Sequence, residues 1–248
     1  MITIKTPAEI DLMRKANQIV KDTLDLLQDS IKEGMTTAQL DKIARDYIVK
    51  CDAKPSFLGY GGFPASICTS VNEQVVHGIP SDKVVIKEGD IVSVDCGSIY
   101  KGYNGDAART FEIGKVSEEA HKLVEVTKQS FFEGVKILKA GVRLGDLGYA
   151  IQSYAESFGY GVVRDLVGHG IGREMHEDPQ VPNYGKQGHG MRLKNNMTIA
   201  IEPMINMGTH KVYLLDDGWT IVTADNMPSA HYENTVLITE EGVEILSL

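Results

Sequence analysis

The sequence of 248 residues has only three cysteines and one tryptophan. Cys51, Cys68 and Cys96 are odd in number and irregularly spaced, with no C-x-x-C pair. That excludes a disulfide framework and a zinc ribbon. No run approaches the roughly 18 consecutive apolar residues of a membrane span. Met1-Ile2-Thr3-Ile4-Lys5 leads into a helix of mixed charge rather than the apolar stretch of a signal peptide. The expectation is therefore a reduced, cytoplasmic protein without a membrane partner. Positive charge is also short. With 25 Lys+Arg against 34 Asp+Glu the net charge is −9, which argues against a surface that tracks phosphates and hence against specific nucleic-acid binding.

What the chain does have is ordinary globular material, 42% hydrophobic and 24% charged. A chain of this length buries roughly 70–75% of its unfolded surface and can build a large core. Thr6-Pro7-Ala8-Glu9 reads as a capping box with proline in the first turn. Met13, Ala16, Val20, Leu27 and Ile31 follow at helical spacing until Gly34. A second helix starts at Thr36 or Thr37, with Gln39 placed for another capping box. Short β-branched runs occupy 65–111. Two helices follow, Ser117 to Lys139 and about Leu144 to Phe158. The remaining strands read as Met197–Glu202, Val212–Leu215, Trp219–Thr223, His231–Thr239 and Val243–Leu246.

Helix, helix, strands therefore occurs twice. A shift of 107 (139 − 32) lays Lys32, Gly34, Leu40 and Tyr47 on Lys139, Gly141, Leu147 and Tyr154. This predicts an α+β fold of two halves, about 1–112 and 113–248, in a single catalytic domain around a pseudo-twofold axis. Helices would cover one face of a largely antiparallel sheet, and a site between the halves would collect residues from both.

Chemistry concentrates in acidic residues on apolar strands. A hairpin turning at Lys101-Gly102 pairs Gly97 with Asp106 and Asp95 with Ala108, so the two aspartates share a face as diagonal neighbours. Such neighbours are about 7–8 Å apart at the backbone, within reach of one cation. Like charges so placed repel unless a cation or a shared proton intervenes. Glu202 ends the apolar run Met197–Ile201, and Glu233 opens another in His231–Leu237. No Lys or Arg stands close in sequence to either, and an unpaired buried charge is very costly. A metal cluster accounts for all four. His169 and His176 lie in a glycine-rich segment, 168–176, suited to close backbone approach or positive φ. His77 lies on a similar Gly-Pro loop, while His121, His189 and His210 have polar surroundings and no role. His231 shares the face of Glu233, at most behind the ligands. Arg109, near Asp106, is the one cation placed to clamp a phosphate in a competing phosphoesterase reading.

The set Asp95, Asp106, His169, Glu202 and Glu233 resembles the five-ligand metal signature of the methionine aminopeptidases, type I bacterial form. Asn104-Gly105-Asp106, Gly168-His169-Gly170-Ile171-Gly172, Ile201-Glu202-Pro203 and Tyr232-Glu233 carry the likeness. The five ligands are shared with the creatine- and proline-peptidase superfamily, and His77, His176 and Trp219 narrow the resemblance. It implies the pita-bread fold, with helices over a curved antiparallel sheet. It also implies two divalent ions (Mn, Fe, Co or Zn) bridged by Asp106 and Glu233 with a water between them. Asp95 completes one ion; His169 and Glu202 complete the other. Glu202 is then the general base, and His176 polarises the carbonyl or stabilises the oxyanion. His77 contacts the scissile amide nitrogen. Phe57, Tyr60, Phe63, Cys68 and Trp219 form the methionine slot, with His77 at its edge. The implied activity is release of the N-terminal methionine from nascent chains with a small second residue, by a monomer in transient contact with the ribosome. One departure stands out. Gly97, two residues after Asp95, is often a threonine in bacterial members.

Overall fold

The computed structural model describes residues 2–248. Both capping boxes form. The Glu9 N–H donates to Thr6 Oγ1 and the Thr6 N–H to the Glu9 carboxylate, which starts helix α1 (Pro7–Ser30). Thr36 and Gln39 do the same for α2 (Thr37–Lys50). Ile31, expected on the last turn of α1, is already extended. Strands β1 (Lys54–Pro55), β2 (Ile67–Val71), β3 (Gln74–Val76), β4 (Ile91–Tyr100) and β5 (Tyr103–Glu112) follow. Lys101 and Gly102 both take positive φ, as the tightest hairpin turn requires, and the β4–β5 register is the expected one.

Helices α3 (Glu118–Val135) and α4 (Leu144–Glu156) begin the second half. Helix α3 ends four residues before the expected Lys139. The chain there turns so that the Ala140 and Gly141 N–H groups reach the carbonyls of Thr239 and Leu193. Then come β6 (Gly161–Val162), β7 (Gly168–Gly170), β8 (Glu177–Val181), β9 (Thr198–Ile201) and β10 (Met204–Asn206). The chain closes with β11 (Val212–Leu214), β12 (Ile221–Thr223), β13 (Ser229–His231), β14 (Glu233–Ile238) and β15 (Val243–Ile245).

Nine strands form one antiparallel sheet, ordered β1-β4-β5-β14-β9-β7-β8, with β2 on β4 and β15 on β14. Two three-stranded sheets, β13-β10-β6 and β11-β12-β3, complete the fold. The expected single strand from His231 to Thr239 is thus two strands in different sheets. The neighbouring chain breaks at the same level, since Asn234 faces Ile201 in one sheet and His231 faces Met204 in the other. Pro203, which has no N–H to give a ladder, sits at this parting.

The pleat explains which side chains face the site. Val92, Val94, Cys96 and Ala107 pack against Val20, Leu24, Leu40 and Ile48 of α1 and α2. Ile199, Ile201, Val236 and Ile238 pack against Phe131, Leu147 and Ile151 of α3 and α4. Alternation in a strand then turns Asp95, Asp106, Glu233 and Ala200 to the opposite, inner face.

Candidate metal centre

Register places the five candidate ligands on two neighbouring rows across the sheet. In one row Cys68 faces Asp95, Asp95 faces Ala108, and Ala108 faces Glu233. Glu202 follows Ile201, the partner of Asn234, and so falls in line beyond Glu233. In the second row Gly97 faces Asp106, while His169 faces Ala200 and Ala200 faces Thr235. The Thr235 hydroxyl closes that row by donating to the Asp106 carbonyl. Ala108, between Asp95 and Glu233, and Ala200, beside His169, are small, which leaves room above the sheet for a bound group.

The ligand atoms of Asp106, His169 and Glu233 all lie within 4.8 Å of one another. His169 Nε2 is 3.6 Å from Asp106 Oδ2 and 3.7 Å from Glu202 Oε1. Asp95, Asp106 and Glu233 face one another as buried like charges. Burial pushes the Asp95 carboxyl up to about 7. Burial, then the neighbouring carboxylates, drives Asp106, Glu202 and Glu233 well above the usual range. Burial holds the imidazoles down, His169 to about 4 and His231 to about 3, and lowers His77 and His176 as well. One oxygen each of Asp95, Asp106 and Glu233 is buried with no hydrogen-bond partner. Orphaned oxygens on three of four crowded acids are what a cation would satisfy, and carboxylates with one imidazole suit divalent ions. His169 Nδ1 lies 2.9 Å from the Gly170 carbonyl, so with that nitrogen donating, the Nε2 lone pair faces the cluster.

The glycines flanking His169 owe their place to close approach rather than to positive φ. A Cβ on Gly168 would come within 2.4 Å of the Ala200 carbonyl oxygen, and one on Gly170 within 2.2 Å of that of Asp178. His77 and His176 come from separate loops to the same place. His77 has a φ of +58°, and the Tyr60 hydroxyl is 2.7 Å from His176 Nδ1.

These side chains line one cavity of about 140 Å³. Its walls bring together all five candidate ligands, His77 and His176, and the apolar group Phe57, Tyr60, Phe63, Cys68 and Trp219. Phe63 and Trp219 meet edge to face at 5.1 Å. An open cleft of about 930 Å³, with Lys5, Glu9, Tyr103 and Arg173 on its walls, shares His169 and His176 with the cavity.

The whole-chain likeness is as specific as the site. The model of metallopeptidase family M24 matches residues 11–240. The chain is 60% identical to a methionine aminopeptidase of Clostridium acetobutylicum, across 100% of this chain and 99% of that one. The chain belongs to metallopeptidase family M24, among its methionine aminopeptidases. A second relative, methionine aminopeptidase 1 of Bacillus subtilis, is 49% identical over 100% of this chain and 99% of its own length. The solved methionine aminopeptidase of Thermotoga maritima superposes with a TM-score of 0.98 at 48% identity, covering 100% and 99% of the two chains. The prolidase of Pyrococcus furiosus gives 0.78 at 28% identity, covering 99% of this chain and 65% of that longer one. The M24 chain thus has the pita-bread fold.

Two residues at this M24 site, one lining the cavity and one behind its glutamates, went unread in the sequence or were underrated. Met175 lines it, and nothing in its spacing distinguishes it from a core methionine. His231 is buried, its Nε2 without a partner and 3.8 Å from Glu233 Oε2 and 4.0 Å from Glu202 Oε2. Arg109 is no phosphate clamp. Its guanidinium turns away to the carbonyls of Ala108, Glu233 and Ser247 and to Asn234 Oδ1. Among the described residues no helix is long and apolar enough to cross a membrane.

Proposed function

We propose that this aminopeptidase removes the N-terminal methionine from nascent proteins and peptides with a small second residue, using two divalent ions. One observation carries the reading. A buried cluster of four carboxylates and His169 shares a single cavity with an aromatic and thiol wall. Asp95, Asp106, His169, Glu202 and Glu233 would hold the ions. Mn, Fe, Co and Zn all suit such a donor set. When bound, the ions would supply Lewis acidity that polarises the scissile carbonyl and acidifies the attacking water.

The chain's own groups do the rest. Glu202 takes a proton from the attacking water as the new C–O bond forms. It returns that proton to the amide nitrogen as the C–N bond breaks, releasing methionine and a shortened chain. Neutral His176, with Nδ1 receiving the Tyr60 hydroxyl, keeps an Nε2–H for the carbonyl oxygen as it becomes an oxyanion. His77 faces the scissile nitrogen and holds the substrate. The methionine side chain, soft and polarisable, packs among Phe57, Tyr60, Phe63, Cys68 and Trp219. We place the protein in the cytoplasm as a single-domain monomer that meets new N-termini in a transient contact with the ribosome.

The test is to strip the protein with chelator, restore single ions, and assay Met-Ala-Ser against Xaa-Pro peptides while titrating ion stoichiometry by calorimetry. Methionine release that depends on a divalent ion and is abolished by Asp95→Asn or Glu202→Ala supports the reading. Undiminished activity in Asp106→Ala overturns the two-ion model, and preference for Xaa-Pro overturns the substrate.

A further inference from the structure

Strand β14 carries Glu233 and is covered by β9 along one flank. On its other flank β5 faces Glu233 and Asn234, while β15 faces Val236 to Ile238. Thr235 lies at the seam between them, and β5 brings Asp106 to the same place. The Thr235 hydroxyl donates to the Asp106 carbonyl at 2.9 Å and accepts from the Asp106 N–H at 3.2 Å. Two ligand-bearing residues therefore meet where the sheet changes partner.

Side chains close this seam. Ser247, fully buried, accepts the Thr235 N–H on its hydroxyl at 3.1 Å, and the Leu246 N–H donates to the Thr235 carbonyl at 2.9 Å. The same Ser247 hydroxyl donates to Asn234 Oδ1 at 3.0 Å. Arg109 leaves β5 on the face opposite Asp106. It donates to Asn234 Oδ1 at 2.8 Å and to the Ser247 carbonyl at 3.0 Å, which closes a ring through Arg109, Asn234 and Ser247. Its other terminal nitrogen clasps a facing pair of the β5–β14 ladder, donating to the carbonyls of Ala108 at 2.8 Å and Glu233 at 2.6 Å. The Tyr232 ring, 4.5 Å from the guanidinium carbon, covers its face.

We propose that Arg109 and Ser247 are positioning residues for the metal centre, a lock that fixes Asp106 relative to Glu233 from behind the cavity. Site geometry must be held within about 0.5 Å, so the strands that carry the ligands need to be as firmly placed as the side chains. Arg109 holds Glu233 by its carbonyl. Ser247 holds Thr235, and Thr235 holds Asp106 at both of its backbone groups. Neither Arg109 nor Ser247 lines the cavity, so both act through the backbone. Removing the Ser247 hydroxyl strands the buried Thr235 N–H, and removing the guanidinium strands the Ser247 carbonyl, so either loss loosens the seam. The inference rests on the metal-dependent reading of the cluster for its consequence, and on the hydrogen bonds alone for the lock.

The test measures Mn binding by calorimetry, the electron paramagnetic resonance signal of bound Mn, kcat and KM on Met-Ala-Ser, and thermal melting. Ser247→Ala and Arg109→Met should each weaken Mn binding by about 10- to 100-fold, as loss of the groups behind metal ligands does, and alter the signal. With Mn saturating, kcat should fall while KM stays, because the apolar wall is untouched. Ser247→Thr keeps the hydroxyl and should restore most of the affinity; Arg109→Lys keeps one cationic donor and should restore part. Leu40→Ala, in the core under α2, is the control for stability. It should melt lower yet bind Mn as the unaltered protein does. Unchanged affinity and signal in Ser247→Ala overturn the lock. An equal loss of affinity in Leu40→Ala overturns it too, since lowered stability would then explain the effect. Should Arg109→Met fail to fold, Ser247→Ala and Arg109→Lys decide the matter. If the unaltered protein binds no divalent ion, the metal reading fails. The lock is then still tested by hydrogen exchange of the Thr235 amide in chelator, which should be faster in Ser247→Ala and unchanged in Leu40→Ala.

Discussion

Lys5 Nζ lies 2.6 Å from Glu177 Oε2, and both side chains are almost fully buried. The Thr3 hydroxyl donates to the same carboxylate, and the Lys5 N–H to the carbonyl of Asn196. Glu177 directly follows His176, so the first residues of the chain are fastened to the loop that presents this imidazole. Lys5→Met leaves the carboxylate buried and unpaired, a change that costs about 3–5 kcal/mol in such pairs. Burial alone would raise the Glu177 carboxyl, but the bonds from Lys5 and Thr3 outweigh it and hold it below its ordinary value. A depressed folded-state pKa gives stability that is present above the unfolded value and lost as pH falls through the folded one. Thermal melting at neutral pH should fall clearly in Lys5→Met, and the gap to the unaltered protein should narrow in acid. Equal melting of the two at neutral pH would count against the pair.

The stripped protein should lose stability as the solution becomes alkaline. Asp95 is pushed up to about 7, and Asp106, Glu202 and Glu233 well above their ordinary range. In the folded state these groups hold protons that the unfolded chain gives up near pH 4, so each opposes folding as pH rises. The buried histidines act in the other direction. Their folded values are lowered, so they favour folding as pH rises, and that contribution is complete above about 6.5. From there upward only the carboxylates remain, and the melting temperature in chelator should drop between pH 6.5 and 8.5. Saturating divalent ion should flatten or reverse the drop. A chelated protein that melts at the same temperature across this range contradicts the cluster as the source of strain.

Much of this was legible in the letters because local rules fixed it. Thr6 with Glu9 and Thr36 with Gln39 announce their helices, and Lys101-Gly102 fixes a register that brings Asp95 and Asp106 to one face. Burial without a neighbouring cation singles out Glu202 and Glu233. What stayed hidden depends on contacts distant in sequence. The end of α3 is decided by carbonyls of Thr239 and Leu193, and the break at Tyr232 by a second sheet that no periodicity marks. Gly97 reads only as a missing hydroxyl until Ser56 and Phe57 are seen against it. His231 looks like a strand residue until both glutamates are found on either side of its Nε2.

His231 makes a prediction of its own. Its Nε2 faces Glu202 and Glu233 at 4.0 and 3.8 Å, much as His169 faces Asp106 and Glu202. Polar groups behind ligands typically change metal affinity by about 10- to 100-fold when removed. His231→Ala should weaken Mn binding by an amount in that range, read by calorimetry, and alter the electron paramagnetic resonance signal of the bound ion. His231→Gln, which keeps an N–H in the same region, should restore part of the affinity. Unchanged affinity and signal in His231→Ala would reduce this imidazole to a packing group.

Gly105 ties the stability of the fold to the position of Asp106. A Cβ there would lie 2.7 Å from the Asn17 backbone nitrogen and 2.8 Å from the Ala16 carbonyl carbon, so α1 rests directly on β5. The same seat carries two bonds, Ser98 Oγ to the Ala16 carbonyl and the Asp106 N–H to Asn17 Oδ1. Backbone cannot swing aside as the end of a side chain can, so Gly105→Ala must lift the helix. Overpacking of this kind costs about 1–3 kcal/mol or more. At roughly 2–4 °C per kcal/mol for a chain near this size, the melting temperature should fall by several degrees. Because the displaced strand bears Asp106 at the next position, affinity for the divalent ion should fall with it. Gly242→Ala is the control, since a Cβ there meets nothing within 4 Å and its φ is not left-handed. It should melt and bind ion as the unaltered protein does. Should Gly105→Ala match it in both measurements, the contact between α1 and β5 would not be what holds Asp106 in place.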